Sequence, residues 1–408
     1  MTEQLSTAIE SGNLALLKGV IEQQPELVNT VFDEQGATPF ELALKFGFSS
    51  LAEVLIEVNC FDINHAGHNP LWLAVELGFL DIAKALLHKG ANPNYRPQQM
   101  SSALLLCLDN EYFELAELMV EKGAEVNIRN DKGWTPLIWA SMKGRIKAVE
   151  FLLKHGAAVD VCNNDGWNAV TGAYFKQRLE VVDKLLTQGA VFSAKYSEAA
   201  MLSAYQNGHI NITKKLLVDG VNPDVENEDK ETMLIIAITK GDDDMIKALV
   251  AAGANPNARN KDSHPALSLL AKNGKNETIS LIIDKGADAN LKSESGRTAA
   301  NWAATYNQAS TLELLHSKGA NLDLRNEDGW SPLMVAASSG YLESVMKLVG
   351  LGANTEFETK KGNSAQDIAK LNAPTHGSAS NVNGHRIYPM LDTSFKQIVD
   401  YLAGTRQQ

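Results

Sequence analysis

Glycine returns every 33 residues along this chain. Gly90, Gly123, Gly156 and Gly189 stand 33 apart, Gly220 follows after 31, and Gly253, Gly286, Gly319 and Gly352 resume the interval. All of them precede alanine except Gly220, which precedes Val221. A second series of small or apolar residues runs alongside: Ala43, Ala74, Cys107, Ala140, Ala173, Ala204, Ala237, Leu270, Ala303, Ala336 and Ala369. Its step is also 33, apart from 31 between Ala43 and Ala74 and between Ala173 and Ala204. Two series in register over most of 408 residues imply a stack of like units rather than the two or three globular domains that length alone suggests.

One unit, Asp131 to Asn163, shows the design. Gly133 permits a tight turn, Thr135 is placed to cap a helix, and Pro136 sits in a first helical turn, where a missing amide hydrogen costs nothing. Ile138, Trp139 and Ala140 enter a short helix that Gly144 ends. Val149, Phe151, Leu152 and Leu153 give a second helix an apolar face, and Gly156 stands where a left-handed cap belongs. Neither helix can bury its apolar side alone, so neighbours must supply the core. Alanine in the second series lets adjacent layers approach closely; Leu270 predicts a local widening or repacking.

These residues resemble the ankyrin repeat, whose pattern is a glycine turn, TPLH, two antiparallel helices and GA-x-x-N. The carriers are GATPF at 36–40, GWTPL at 133–137, GWSPL at 329–333, KGANPN at 89–94, KGAEVN at 122–127, AGANPN at 252–257, KGADAN at 285–290 and KGANLD at 318–323. The resemblance implies an all-α solenoid of about ten to eleven helix-turn-helix repeats that binds other proteins. The histidine of TPLH is missing throughout; Glu41, Trp72, Leu105, Ile138, Thr171, Leu202, Ile235, Ser268, Asn301 and Met334 stand there. The cross-repeat hydrogen bonds that the resemblance assigns to that ring must be replaced, several of them by apolar packing. Glu111 and Gln177 take the place of the glycine between the two helices of their repeats.

The layout divides into a capping helix pair at 1–32, N-terminal repeats at 33–195, C-terminal repeats at 196–360, and a degenerate last repeat at 361–408 interrupted by an insertion at 372–392. The repeat near 196–227 is two residues short and starts with YSEAAML, so its hairpin should be shortened and the local twist altered near 193–200. Helices are expected at Leu5–Glu10 and Leu14–Ile21, and again at Phe395–Leu402.

The formal charge of -12, from 49 acidic and 37 basic residues, argues against nucleic acid and membrane surfaces and favours a protein partner with a basic or mixed surface. The first residues lack the pattern of a secretory signal, and no run of 18 apolar residues exists. Cys60, Cys107 and Cys162 are odd in number and far apart, which fits a reducing cytoplasm better than disulfides or zinc. His65 and His68 lack companion ligands, and His88 and His155 fall at second-helix ends, where imidazolium suits the helix terminus. No nucleophile elbow, zinc-binding helix motif or phosphate loop occurs. The expectation is a monomeric, non-catalytic chain with no cofactor and no metal; His376 and His385 in the insertion are the residues an enzymatic reading would use.

Function should then lie in exposed positions. By the resemblance, the residue after each turn glycine faces the concave groove: Trp134, Trp167 and Trp330, with His264 and Arg297 between. Phe46, Phe175 and Tyr306 add to it from the first helices. Solvent-facing tryptophans contribute strongly at interface centres, and Trp134 with Trp167 is the expected anchor pair. Trp139 and Trp302, directly before the small core residue, are expected to pack inward, as is Trp72. Asp242, Asp243 and Asp244, with Glu226, Glu228, Asp229 and Glu231, form a candidate acidic patch. A binding scaffold is the main reading. A toxin-neutralising immunity protein or a host-targeted effector is the narrower alternative.

Overall fold

The computed structural model describes residues 2–32, 37–65, 69–95, 102–373, 381–382, 385–386 and 392–405. These form short antiparallel helix pairs, starting with Thr2–Glu10 and Leu14–Gln23 and ending with Ala365–Asn372 and Asp392–Thr405. Within each unit first helices pack on first helices of the next repeat, as Ala266–Lys272 does on Ala299–Thr305, and second on second, as Ala309–Ser317 does on Leu342–Gly350. Contacts cluster into two compact units, 1–200 and 201–408, with the division inside the helix Ser197–Gln206. The two-residue strands Asn381–Val382 and His385–Arg386 pair antiparallel within the insertion. His376 lies outside the described residues.

The local chemistry explains why most first helices start where they do; Ala266–Lys272, which follows Pro265, has no side-chain cap. Thr38, Asn69, Ser102, Thr135, Asn168, Thr232, Thr298, Ser331 and Ser364 are N-caps whose side chains accept the amide hydrogen three residues on. That satisfies a donor the helix itself leaves open. The short repeat has Ala199 in this place. Its hairpin is replaced by a turn in which Tyr196 N donates to Ser193 O, and the helix Ser197–Gln206 starts early. The small-residue series is the core seam: each alanine, and Cys107, is fully buried, and Leu270 is 2% exposed.

Neighbouring repeats are also tied by a ladder of side-chain amides. Asn94 Nδ2 donates to Gly123 O, and its Oδ1 accepts from Glu125 N at 2.7 Å. Asn127 repeats this with Gly156 O and Ala158 N, Asn257 with Gly286 O and Asp288 N, and Asn290 with Gly319 O and Asn321 N. Asp160, Asp224 and Asp323 keep only the accepting half, from Val191 N, Asn255 N and Asn354 N.

The lost histidine is replaced differently from repeat to repeat. Thr171 Oγ1 accepts from Ser193 N at 3.0 Å, Asn301 turns back to cap Thr298, and Glu41 meets Lys45 at 2.6 Å. Ile138, Ile235 and Met334 are buried in apolar surroundings.

Candidate functional site

The hairpin that joins repeats is built to fix one side chain. In 130–134, Asn130 Oδ1 accepts from Trp134 N at 2.9 Å, Gly133 N donates to Asn130 O, and Asn130 N donates to Trp134 O. The same arrangement holds Trp167 on Asn163, His264 on Asn260 and Trp330 on Asn326, each at 2.8 Å, and Arg297 on Ser293 at 3.2 Å. An asparagine whose side chain reproduces a backbone turn thus sets the register of the residue after the turn.

The three hairpin tryptophans do not protrude. Trp134, Trp167 and Trp330 are half-buried. The Trp134 and Trp167 rings do not stack on each other: Trp167 packs on Phe175 at 5.5 Å and Tyr196 at 5.1 Å between ring centroids, and Trp134 takes no part in that cluster. The reason lies in the first helix below. Gly172 stands where its predecessor repeat has Trp139, and Met142 fills the space over it, so the Trp167 ring turns toward Phe175. Tyr196, at the start of the short repeat, closes the cluster from the other side. Of the remaining expected contact residues, Phe46 is 51% exposed beside Phe48, Tyr306 is 42% exposed, and Phe175 is half-buried.

Trp302 was expected inside and is half-buried at the surface instead. It joins Arg297 and Tyr306 into one cluster within 201–408. The Arg297 guanidinium lies 4.3 Å from the Trp302 ring and bonds Thr305 Oγ1. Trp302 and Tyr306 are stacked, with planes 7° apart. His264 meets Trp302 edge-on at 4.9 Å, and Lys272 Nζ sits 5.1 Å over Tyr306. Burial holds Arg297 below the ordinary guanidinium range, with Tyr306 opposing weakly. The spacing of Trp302 and Tyr306, four apart on a helix, was the sequence signal for this stack. Trp139 is likewise half-buried, with Lys143 Nζ 5.8 Å above it.

Part of the acidic patch is engaged within the fold, while Glu228, Asp229 and Asp244 are exposed. Asp242 caps its helix through Met245 N and accepts from Tyr205 OH. Asp243 holds Lys275 at 3.0 Å and Thr278, and the lysine keeps its carboxyl below the usual range. His155 does not act on its own helix end alone; Nε2 lies 2.8 Å from Glu117 of the preceding repeat. Among the described residues the clefts found are open to solvent, such as one of about 410 Å³ lined by Lys18, Ile21, Glu22, Glu53, Val54 and Glu57. Among the described residues no three His, Cys, Asp or Glu side chains are grouped to hold a metal, and no helix is long and apolar enough to cross a membrane.

The family model described as ankyrin repeats (3 copies) matches residues 5–97, 104–196, 193–260 and 267–359, most of the chain. The chain belongs to the ankyrin-repeat family. The joint between two of these matches, at 193–196, coincides with the lost hairpin. No curated protein matches this ankyrin-repeat chain closely enough to count as a relative.

Proposed function

We propose that this ankyrin-repeat protein is a non-catalytic interaction module that holds a partner protein on its first helices and hairpins, the side expected to be concave. One observation carries the reading. Within 201–408 Ile236, Leu269, Trp302 and Val335 stay half-buried on four successive first helices, and within 1–200 Leu42, Leu106 and Trp139 do so on three, while the next residue along each of these helices is sealed in the core. Half-exposed apolar side chains fixed on short, capped helices form a preorganised surface, which lowers the ordering cost of binding. Catalysis would need an enclosed, water-poor site, and open clefts do not supply one. Nothing on this face favours the narrower role of an immunity protein against a basic toxin.

The test is capture of partners from the native cell extract on the immobilised full chain, followed by amide hydrogen exchange of the purified complex. Protection should fall on the first helices and hairpins. Protection confined to second helices such as Ile146–Lys154 and Ala309–Ser317 would overturn the reading.

A further inference from the structure

The cations of this chain divide by location. At the second helices, Lys89, Lys147, Lys154, Lys184, Lys318 and Lys347 each hold a carboxylate of the preceding repeat, at 2.6 to 3.0 Å. On the opposite side of 201–408, Lys240, Lys272 and Arg297 make no ion pair among the described residues. They rest on aromatic rings instead: Lys240 4.3 Å from Tyr205, Lys272 over Tyr306, Arg297 over Trp302. Four consecutive first helices here, Met233–Lys240, Ala266–Lys272, Ala299–Thr305 and Pro332–Ser338, contain no aspartate or glutamate, while the flanking Ser197–Gln206 and Ala365–Asn372 carry Glu198 and Asp367. The Trp302 indole N–H is shielded from water without an acceptor. A cation on an aromatic face keeps its charge available, and a partly desolvated one gains most from a counter-ion brought by a ligand.

Resting on the interaction reading above, we propose that the first-helix face of 201–408 receives an acidic segment of a partner protein. Its carboxylates meet Lys240, Lys272 and Arg297, and its apolar side chains lie on Ile236, Leu269, Trp302 and Val335. The whole-chain charge of -12 suggested the opposite partner. That sum does not describe this face, because it includes the exposed carboxylates of the hairpin tips and the second-helix ion pairs add nothing to it. The tips also set the class of ligand. Glu228, Asp229, Asp262, Glu294, Glu327 and Asp328 are exposed on the adjoining hairpins. A nucleic acid carries a phosphate at every nucleotide and would be repelled along their length. A peptide can place carboxylates at intervals and supply aliphatic groups between them.

The experiment uses the immobilised full chain and three soluble probes: a random Glu–Tyr copolymer, a Lys–Tyr copolymer and an oligo-dT strand. The Glu–Tyr copolymer should bind, more weakly as salt rises. Lys272→Glu with Arg297→Gln should weaken it by at least ~tenfold, as expected for a truncated charged anchor. Lys347→Glu, which breaks a second-helix ion pair, should leave binding unchanged. Thermal melts check folding; if the double variant does not fold, Lys272→Glu alone carries the comparison, its side chain being half-exposed. Failure of the Glu–Tyr copolymer to bind, or binding indifferent to these substitutions, overturns the proposal. Capture of oligo-dT that the double variant loses would replace it with a nucleic-acid site. Capture of the Lys–Tyr copolymer that Trp302→Ala loses would reverse the polarity while leaving the interaction reading standing. No probe sensitive to any of these changes would sink both.

Discussion

Gly296 stands at φ +72°, and a Cβ there would come within 2.9 Å of Glu327 N in the next hairpin. Gly296→Ala therefore pays both left-handed strain and a backbone clash, and should lower stability by ~2 kcal/mol or more in urea unfolding. The reverse holds at Gln177, a non-glycine residue at φ 58° between two helices. Gln177→Gly removes that strain at a smaller entropic cost and should stabilise by about 0.5–1 kcal/mol. Thiol chemistry separates by the same attention to surroundings. Burial pushes the Cys107 thiol up to about 12, and Cys162 is raised by burial and by Asp160, while Cys60 is exposed. An aromatic disulfide reagent should label Cys60 first, Cys162 slowly, and Cys107 only on unfolding.

Within an element, the seam between first helices decides how much volume each layer takes. Leu270 fills the place that alanine holds elsewhere and is buried without residue of exposure to spare. Leu270→Ala should cost ~2–4 kcal/mol through the cavity it leaves, and Ala336→Leu ~1–3 kcal/mol through overpacking. Urea midpoints of the two variants check that each layer is fitted to its own residue. The second-helix layer is tied by charge. Lys154, then His155, hold Glu117 below its ordinary value, and Lys318 does the same for Asp284, as Lys275 does for Asp243. Folded carboxyls with depressed pKa stabilise the protein above the unfolded value and lose that contribution as pH falls through the folded one. Melting temperature should therefore be flat near neutrality and decline below about pH 4, with 1 M salt muting the slope.

For the whole molecule, the sequence made the fold legible because the packing seam, the caps and the turns repeat the same residue types at one interval. The site was less legible because its geometry depends on which neighbour stands 33 residues away. Trp134, Trp167 and Trp330 occupy equivalent hairpin positions, yet a glycine at 172 and a tyrosine at 196 draw only Trp167 into a cluster. Trp167→Ala should then lower the melting temperature by several degrees and Trp134→Ala hardly at all, a contrast that scanning calorimetry reads directly. Trp302 escaped because a tryptophan beside a core alanine reads as core until Arg297 and Tyr306 are seen around it. Net charge carries little about any one face for the same reason, being a sum over faces with different chemistry.

The amide ladder has a consequence for how such a chain can change. Each rung of Asn94, Asn127, Asn257 and Asn290 grips only main-chain atoms of the next repeat. The main-chain carbonyl is common to all twenty amino acids and the main-chain N–H to all but proline, so the joint is indifferent to most of what its neighbour displays. Selection can rewrite the displayed side chains, or copy and delete whole modules, and the fastening between them needs no new parts.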